Sequence, residues 1–129
     1  MAFIYHNENP EDLQTEDCVI RALALFLDDT WENIYTDLSM QGFNMHSMPS
    51  ANNVWGHFLH QNGFKRVNIP DTCPYCYTVR DFAKDHPAGT YLLGTGRHAV
   101  TMIDGDYYDT WDSGGEVPIY YWRKEVIYG

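Results

Sequence analysis

Thr15-Glu16-Asp17-Cys18-Val19-Ile20-Arg21-Ala22-Leu23-Ala24-Leu25-Phe26-Leu27 sets a cysteine at the mouth of an apolar helix. Between residues 19 and 27 only Arg21 is polar, so this helix has almost no wet face and is expected to lie buried at the centre of the fold. Cys18 falls in the first turn or just ahead of it, where unpaired backbone N–H groups and the positive end of the helix dipole favour an anion. A thiolate is such an anion, and helix N-termini and cationic neighbours are the settings that lower a cysteine pKa from ~8.5 into the reactive range. The competing reading makes Cys18 one more buried core cysteine. Residues in the second half of the chain favour the first.

Working outward, Asp28-Asp29-Thr30 breaks the pattern, and Thr30 can cap a second helix over residues 31–40, whose apolar positions Trp31, Ile34 and Leu38 keep helical spacing. Residues 41–49 read as loop with Gly42 as the stop. Ser50 is then placed to cap a third helix carrying Val54, Phe58 and Leu59, ended by Gly63. An extended piece follows over 64–69, and Thr78-Val79-Arg80-Asp81 has the form of a capping box opening a short helix that ends near His86-Pro87. Ahead of the central helix, residues 5–14 look like an exposed lead-in turning at Pro10.

From Gly89 the period changes. Residues 90–93 and 98–103 alternate as strands, Asp104-Gly105-Asp106 is a strong hairpin turn into 107–111, and 117–122 and 125–128 supply further strand material. Helices first and a meandering antiparallel sheet after them make an α+β layout. With 129 residues there is room for one domain, spanning 1–129, and one core.

Composition narrows the function. Hydrophobic residues make up 44% of the chain and aromatics 16%, which argues for a folded globule. The net charge of −10 weighs against nucleic acid as a partner, because phosphates select for Lys and Arg. The N-terminal residues lack the basic start and apolar core of a signal peptide, and no stretch approaches a membrane span, so a cytoplasmic protein is expected. Three cysteines, only two of them close together, suggest free thiols rather than a disulfide scaffold. Nothing in the pattern requires a cofactor.

A cysteine nucleophile needs a base to take its proton, and the base needs a third group to hold its orientation. His98 opens one arm of the predicted hairpin and Asp112 closes the other, so the returning strands bring imidazole and carboxylate together at cross-strand range. The register depends on the turn type, which leaves Asp109 as the fallback orienter. Glu16 and Asp17 flank Cys18 and are expected to resist thiolate formation.

Cys18, His98 and Asp112 in that order resemble the papain-like cysteine peptidases: cysteine at the start of a central helix, histidine at the start of a strand, Asn or Asp at the end of the next. The pair Asp112-Ser113 is similar to the Asn-Ser that closes the triad strand in several branches, and residues 17–24 resemble the Cys-box of ovarian-tumour deubiquitinases. The single-hairpin spacing of histidine and acid is closer to Josephin domains and bacteriocin-leader peptidases. Small size and the runs at 98–106 and 109–112 look similar to bacterial and phage proteins of this class. The resemblance implies a papain-like fold, a protein or peptide substrate, and cleavage of an amide or isopeptide bond. It also implies an oxyanion hole made by the Cys18 N–H and an upstream glutamine, for which Gln14 is the candidate, four residues ahead rather than the usual five or six.

Three rival readings stand beside this one. Cys73-Pro74-Tyr75-Cys76 matches a glutaredoxin redox motif, with Val117-Pro118 further on as a candidate cis-proline partner. His57 and His60 with Cys73 and Cys76 would suit structural zinc. A papain-like fold can also serve as an inactive peptide-binding module. Trp55 and Trp111 are candidates either for substrate contact or for the core.

Overall fold

In the computed structural model, which describes residues 2–125, the chain runs β1 (Phe3–Tyr5), α1 (Cys18–Phe26), α2 (Trp31–Met45), α3 (Asn52–Gln61), β2 (Phe64–Asn68), α4 (Val79–Asp85), β3 (Thr90–Gly94), β4 (Ala99–Ile103), β5 (Asp106–Asp109) and β6 (Tyr120–Lys124). The fold is α+β, with four helices and one mixed six-stranded sheet in the order β1-β5-β4-β3-β6-β2. The sheet departs from the expected antiparallel meander in two ways: β1 joins it in parallel beside β5, and β6 pairs with β3 and β2 rather than with β5. The expected strand at 125–128 lies outside the described residues, apart from Glu125.

Strand alternation builds two cores, one on each face of the sheet. Leu92, Ala99, Tyr120 and Trp122 point to the face covered by α1, α2 and α3, where they meet Leu23, Ile34, Leu38, Trp55 and Leu59. Leu93, Val100, Met102 and Tyr107 point to the other face and pack on Val79, Phe82 and Ala83 of α4. α1 lies against the middle of the sheet and is buried along nearly its whole length, as its composition requires. At the centre of that contact the Thr101 hydroxyl donates to the Ala22 carbonyl, satisfying a polar group that is fully buried.

Local chemistry sets most boundaries. Thr30 caps α2 by accepting from the Asn33 N–H, and the Thr78–Asp81 capping box opens α4. Between β4 and β5, Asp104 (φ 50°) and Gly105 (φ 81°) both take positive φ, the signature of a two-residue type I′ turn. That turn pairs Ile103 with Asp106 and fixes the register of the whole hairpin.

Three expectations are corrected here. α2 does not stop at Gly42 but continues to Met45 and ends at His46, which adopts the left-handed conformation. Gly42 serves a close approach instead: a Cβ there would meet the Ser47 carbonyl oxygen at 2.7 Å, where residues 47–49 fold back on the helix. The cap of α3 is Ala51 rather than Ser50, with no side-chain bond. The lead-in is not simply exposed, for Asn9 is buried and organises a turn through its side chain, which accepts from the Glu11 N–H.

Candidate active site

α1 begins at Cys18, and β4 begins one residue after His98, so the sheet–helix contact carries the cysteine and the histidine to the same cleft. Cys18 and His98 line the same cleft, and the thiol lies close enough to His98 and to the Ala99 N–H for both to lower its pKa. His98 Nε2 lies 2.6 Å from Asp109 Oδ2. Because Asp109 occupies Nε2, Nδ1 is the ring nitrogen left to face the sulfur. Sulfur, imidazole and carboxylate thus lie in sequence at one end of the cleft.

Asp112, the residue expected to orient His98, does not touch it. Its Oδ1 accepts from the Tyr107 hydroxyl at 2.8 Å and from the Gly114 N–H at 3.0 Å, and its side chain is half exposed beside Arg80. The physical reason is strand parity. With Ile103 opposite Asp106 and Thr101 opposite Tyr108, the same register continued outward sets Trp111 across from His98. Residues 109 and 111 therefore share the His98 face, and residue 112 does not. Asp109 is the diagonal neighbour, within reach of a histidine, and the Trp111 ring packs on the imidazole with centroids 4.9 Å apart.

Asp109 is only 2% exposed, and four donors serve its carboxylate. Oδ2 takes His98 and the Ser113 hydroxyl (2.8 Å), while Oδ1 takes the Thr110 N–H (2.8 Å) and Arg21 Nη1 (3.3 Å). Burial alone would favour the neutral acid, but these donors outweigh it and hold the carboxyl below its ordinary range. For His98 burial likewise disfavours the charge, yet the bonds to Asp109 and Cys18 win and push its pKa up to about 9. The Cys18 thiol is resisted by burial and pulled down by His98, the Ala99 N–H and the charge of Arg21, with a net lowering. The two shifts run in the directions that stabilise a thiolate beside an imidazolium.

The expected opposition from Asp17 is met by an ion pair. Its Oδ1 accepts from Arg21 Nε at 2.8 Å, and its Oδ2 from Trp31 Nε1 at 2.9 Å. The carboxylate therefore faces inward and does not cap α1. Glu8 is a titratable group that sequence reasoning overlooked. Its side chain is 10% exposed, its Oε2 is buried with no hydrogen-bond partner among the described residues, and burial raises its pKa from 4.5 to about 7. The neutral acid is thus favoured by folding, and the stability this contributes is lost as pH rises from about 4.5 through about 7. Glu8→Gln is expected to stabilise the protein at pH 8 by up to ~3 kcal/mol and to change little at pH 4. Urea unfolding at the two pH values checks this, and an equal effect at both would contradict it.

The cleft over Cys18 measures about 550 Å³ and is lined by Gln14, Trp55, Arg97, His98 and Trp111 among others. Gln14 is exposed on its rim. Trp55 is 1% exposed and belongs to the core, with one edge reaching the cleft, whereas Trp111 is 44% exposed.

The other cysteines are not free thiols. Cys73 and Cys76 stand 4.1 Å apart at Cα, round a turn closed by the Tyr75 N–H to the Thr72 carbonyl, and are joined in a disulfide. Neither is thus available to the zinc set with His57 and His60, which lie on the exposed side of α3. Among the described residues no group of three or more His, Cys, Asp or Glu is arranged to hold a metal ion, and no helix is long and apolar enough to cross a membrane. No protein-family model matches the chain, and no curated protein or solved structure shows significant similarity to it.

Proposed function

We propose that the protein is a papain-like cysteine hydrolase that cleaves an amide or isopeptide bond in a protein or peptide. The observation that carries this reading is that Cys18 and His98 line one open cleft, with His98 bonded at 2.6 Å to a fully satisfied Asp109. The Cys18 thiolate attacks the substrate carbonyl carbon, and the carbonyl electrons move to oxygen. The His98 imidazolium gives its Nδ1 proton to the leaving nitrogen as the C–N bond breaks. Water, deprotonated by the now neutral His98, attacks the thioester carbonyl and releases the acid and Cys18. Asp109 keeps His98 aligned and balances its charge. The Cys18 N–H lies at the uncapped N-terminus of α1, and Gln14 on the rim is the candidate second donor to the oxyanion.

Selective alkylation tests this without a known substrate. Iodoacetamide at pH 6, followed by peptide mapping without reduction, is expected to modify Cys18 faster than it modifies glutathione, and His98→Ala should remove that advantage. An inactive binding module would leave Cys18 no more reactive than glutathione. A thiol–disulfide oxidoreductase would place the reactive thiol at Cys73 after mild reduction.

A further inference from the structure

Arg21 is the one polar residue between 19 and 27, and its side chain is 8% exposed. A guanidinium buried in a central helix is costly unless its charge and its donors are matched. Here both are matched by carboxylates that belong to different parts of the molecule. Nε donates to Asp17 at the head of α1, and Nη1 donates to Asp109 at the end of β5.

We propose that Arg21 is a positioning residue of the site, tying the helix turn that presents Cys18 to the carboxylate that orients His98. The proposal rests on the hydrolase reading above and adds a component to it. Asp17 is a fixed anchor, because Trp31 Nε1 from the first residue of α2 and Asn9 Nδ2 from the lead-in both bind its Oδ2. Asp109 divides its oxygens, with Oδ1 on Arg21 and Thr110 and Oδ2 on His98 and Ser113. A carboxylate held on both oxygens cannot rotate, so the direction in which it holds the imidazole is set partly by Arg21. Arg21 also follows Cys18 by three residues, which puts the two on one side of the helix. The charged groups facing the guanidinium are Asp17, Asp109 and the acid of Glu8, with the Cys18–His98 pair beyond them. Removing the one guanidinium leaves the carboxylates unopposed beside the sulfur.

The test is the pH profile of Cys18 alkylation by iodoacetamide in the full chain, with thermal unfolding as a check on folding. Arg21→Gln is expected to move the profile to higher pH and to slow labelling at pH 6 by tenfold or more, while the plateau rate at pH 9.5 stays within about threefold of wild type. Arg21→Lys, which keeps the charge but cannot fork between two carboxylates, should fall between them. Asp17→Asn separates positioning from charge. Through charge alone, losing an anion next to the cysteine would speed labelling at pH 6; as the anchor of Arg21, its loss must slow it. Profiles of Arg21→Gln and wild type that superimpose, or faster labelling of Asp17→Asn, overturn the proposal. If Arg21→Gln does not fold, Arg21→Lys and Asp17→Asn decide the matter by the same criteria. A wild-type profile like that of a free thiol would instead remove the hydrolase reading itself, so the two failures are distinguishable.

Discussion

Asp109→Asn is expected to slow iodoacetamide capture of Cys18 at pH 6 by on the order of 10²-fold, because a thiol returned to ~8.5 is only ~0.3% ionised there. Once a substrate is in hand, hydrolysis should fall further, by ~10³–10⁴, since an amide in this position stabilises the wrong imidazole tautomer. Asp109 is held 2.6 Å from His98 by buried donors that keep its carboxylate ionised. Asp112→Ala is the control. Among the described residues its carboxylate serves the turn at Tyr107 and Gly114 and the neighbouring Arg80, so labelling should stay within about twofold of wild type. The reverse ranking of the two variants would assign the orienting role to Asp112 after all.

The second large effect concerns the frame. Trp55 is 1% exposed, donates its indole N–H to the Asn52 side chain at 3.1 Å, and packs against Tyr120 and Trp122 with centroids 6.0 and 6.3 Å away. Trp55→Ala is therefore expected to cost ~3–5 kcal/mol, a fifth or more of the stability of an ordinary domain. For a chain of this size the loss corresponds to a fall in Tm of roughly 10–20 °C. Phe43, 77% exposed on α2, supplies the contrast, and its replacement by Ala should move stability by no more than ~0.5 kcal/mol. Equal shifts for the two would mean that the sheet and α3 do not share the core described here.

Much of this arrangement was legible in the order of residues, for identifiable reasons. The apolar run behind Cys18 could only be a buried helix, the Thr78–Asp81 box marks its own helix start, and Asp104-Gly105 dictates a tight hairpin. That hairpin also contained the answer on the third member of the chain. Once a two-residue turn is accepted, parity puts Asp109 on the His98 face and excludes Asp112, whereas proximity along the strand end favoured Asp112. Other features had no local signal. β1 is three residues long and is held by partners more than a hundred positions away. The interior placement of Glu8 and Asn9 follows from the fold around Arg21, and the polar composition of the lead-in gave no hint of it. Gly42 misled because a glycine in a helix usually marks its end; here it admits a returning loop.

Arg21 belongs to both groups. As a lone charge in an apolar helix it stands out in the sequence, but its meaning needs the two carboxylates that only the fold brings to it. Buried charge of this kind is weak support for stability and is better understood as fixing one arrangement over others.

The most direct test of the central claim is an ultraviolet titration of the Cys18 thiolate with the Cys73–Cys76 disulfide intact, in wild-type protein and in His98→Gln. If Cys18 and His98 form the proposed pair, the wild type carries a thiolate already at pH 7 that is lost only on acidification, and His98→Gln returns the transition to the ordinary range near ~8.5. A wild-type transition near ~8.5 that His98→Gln leaves in place would contradict it.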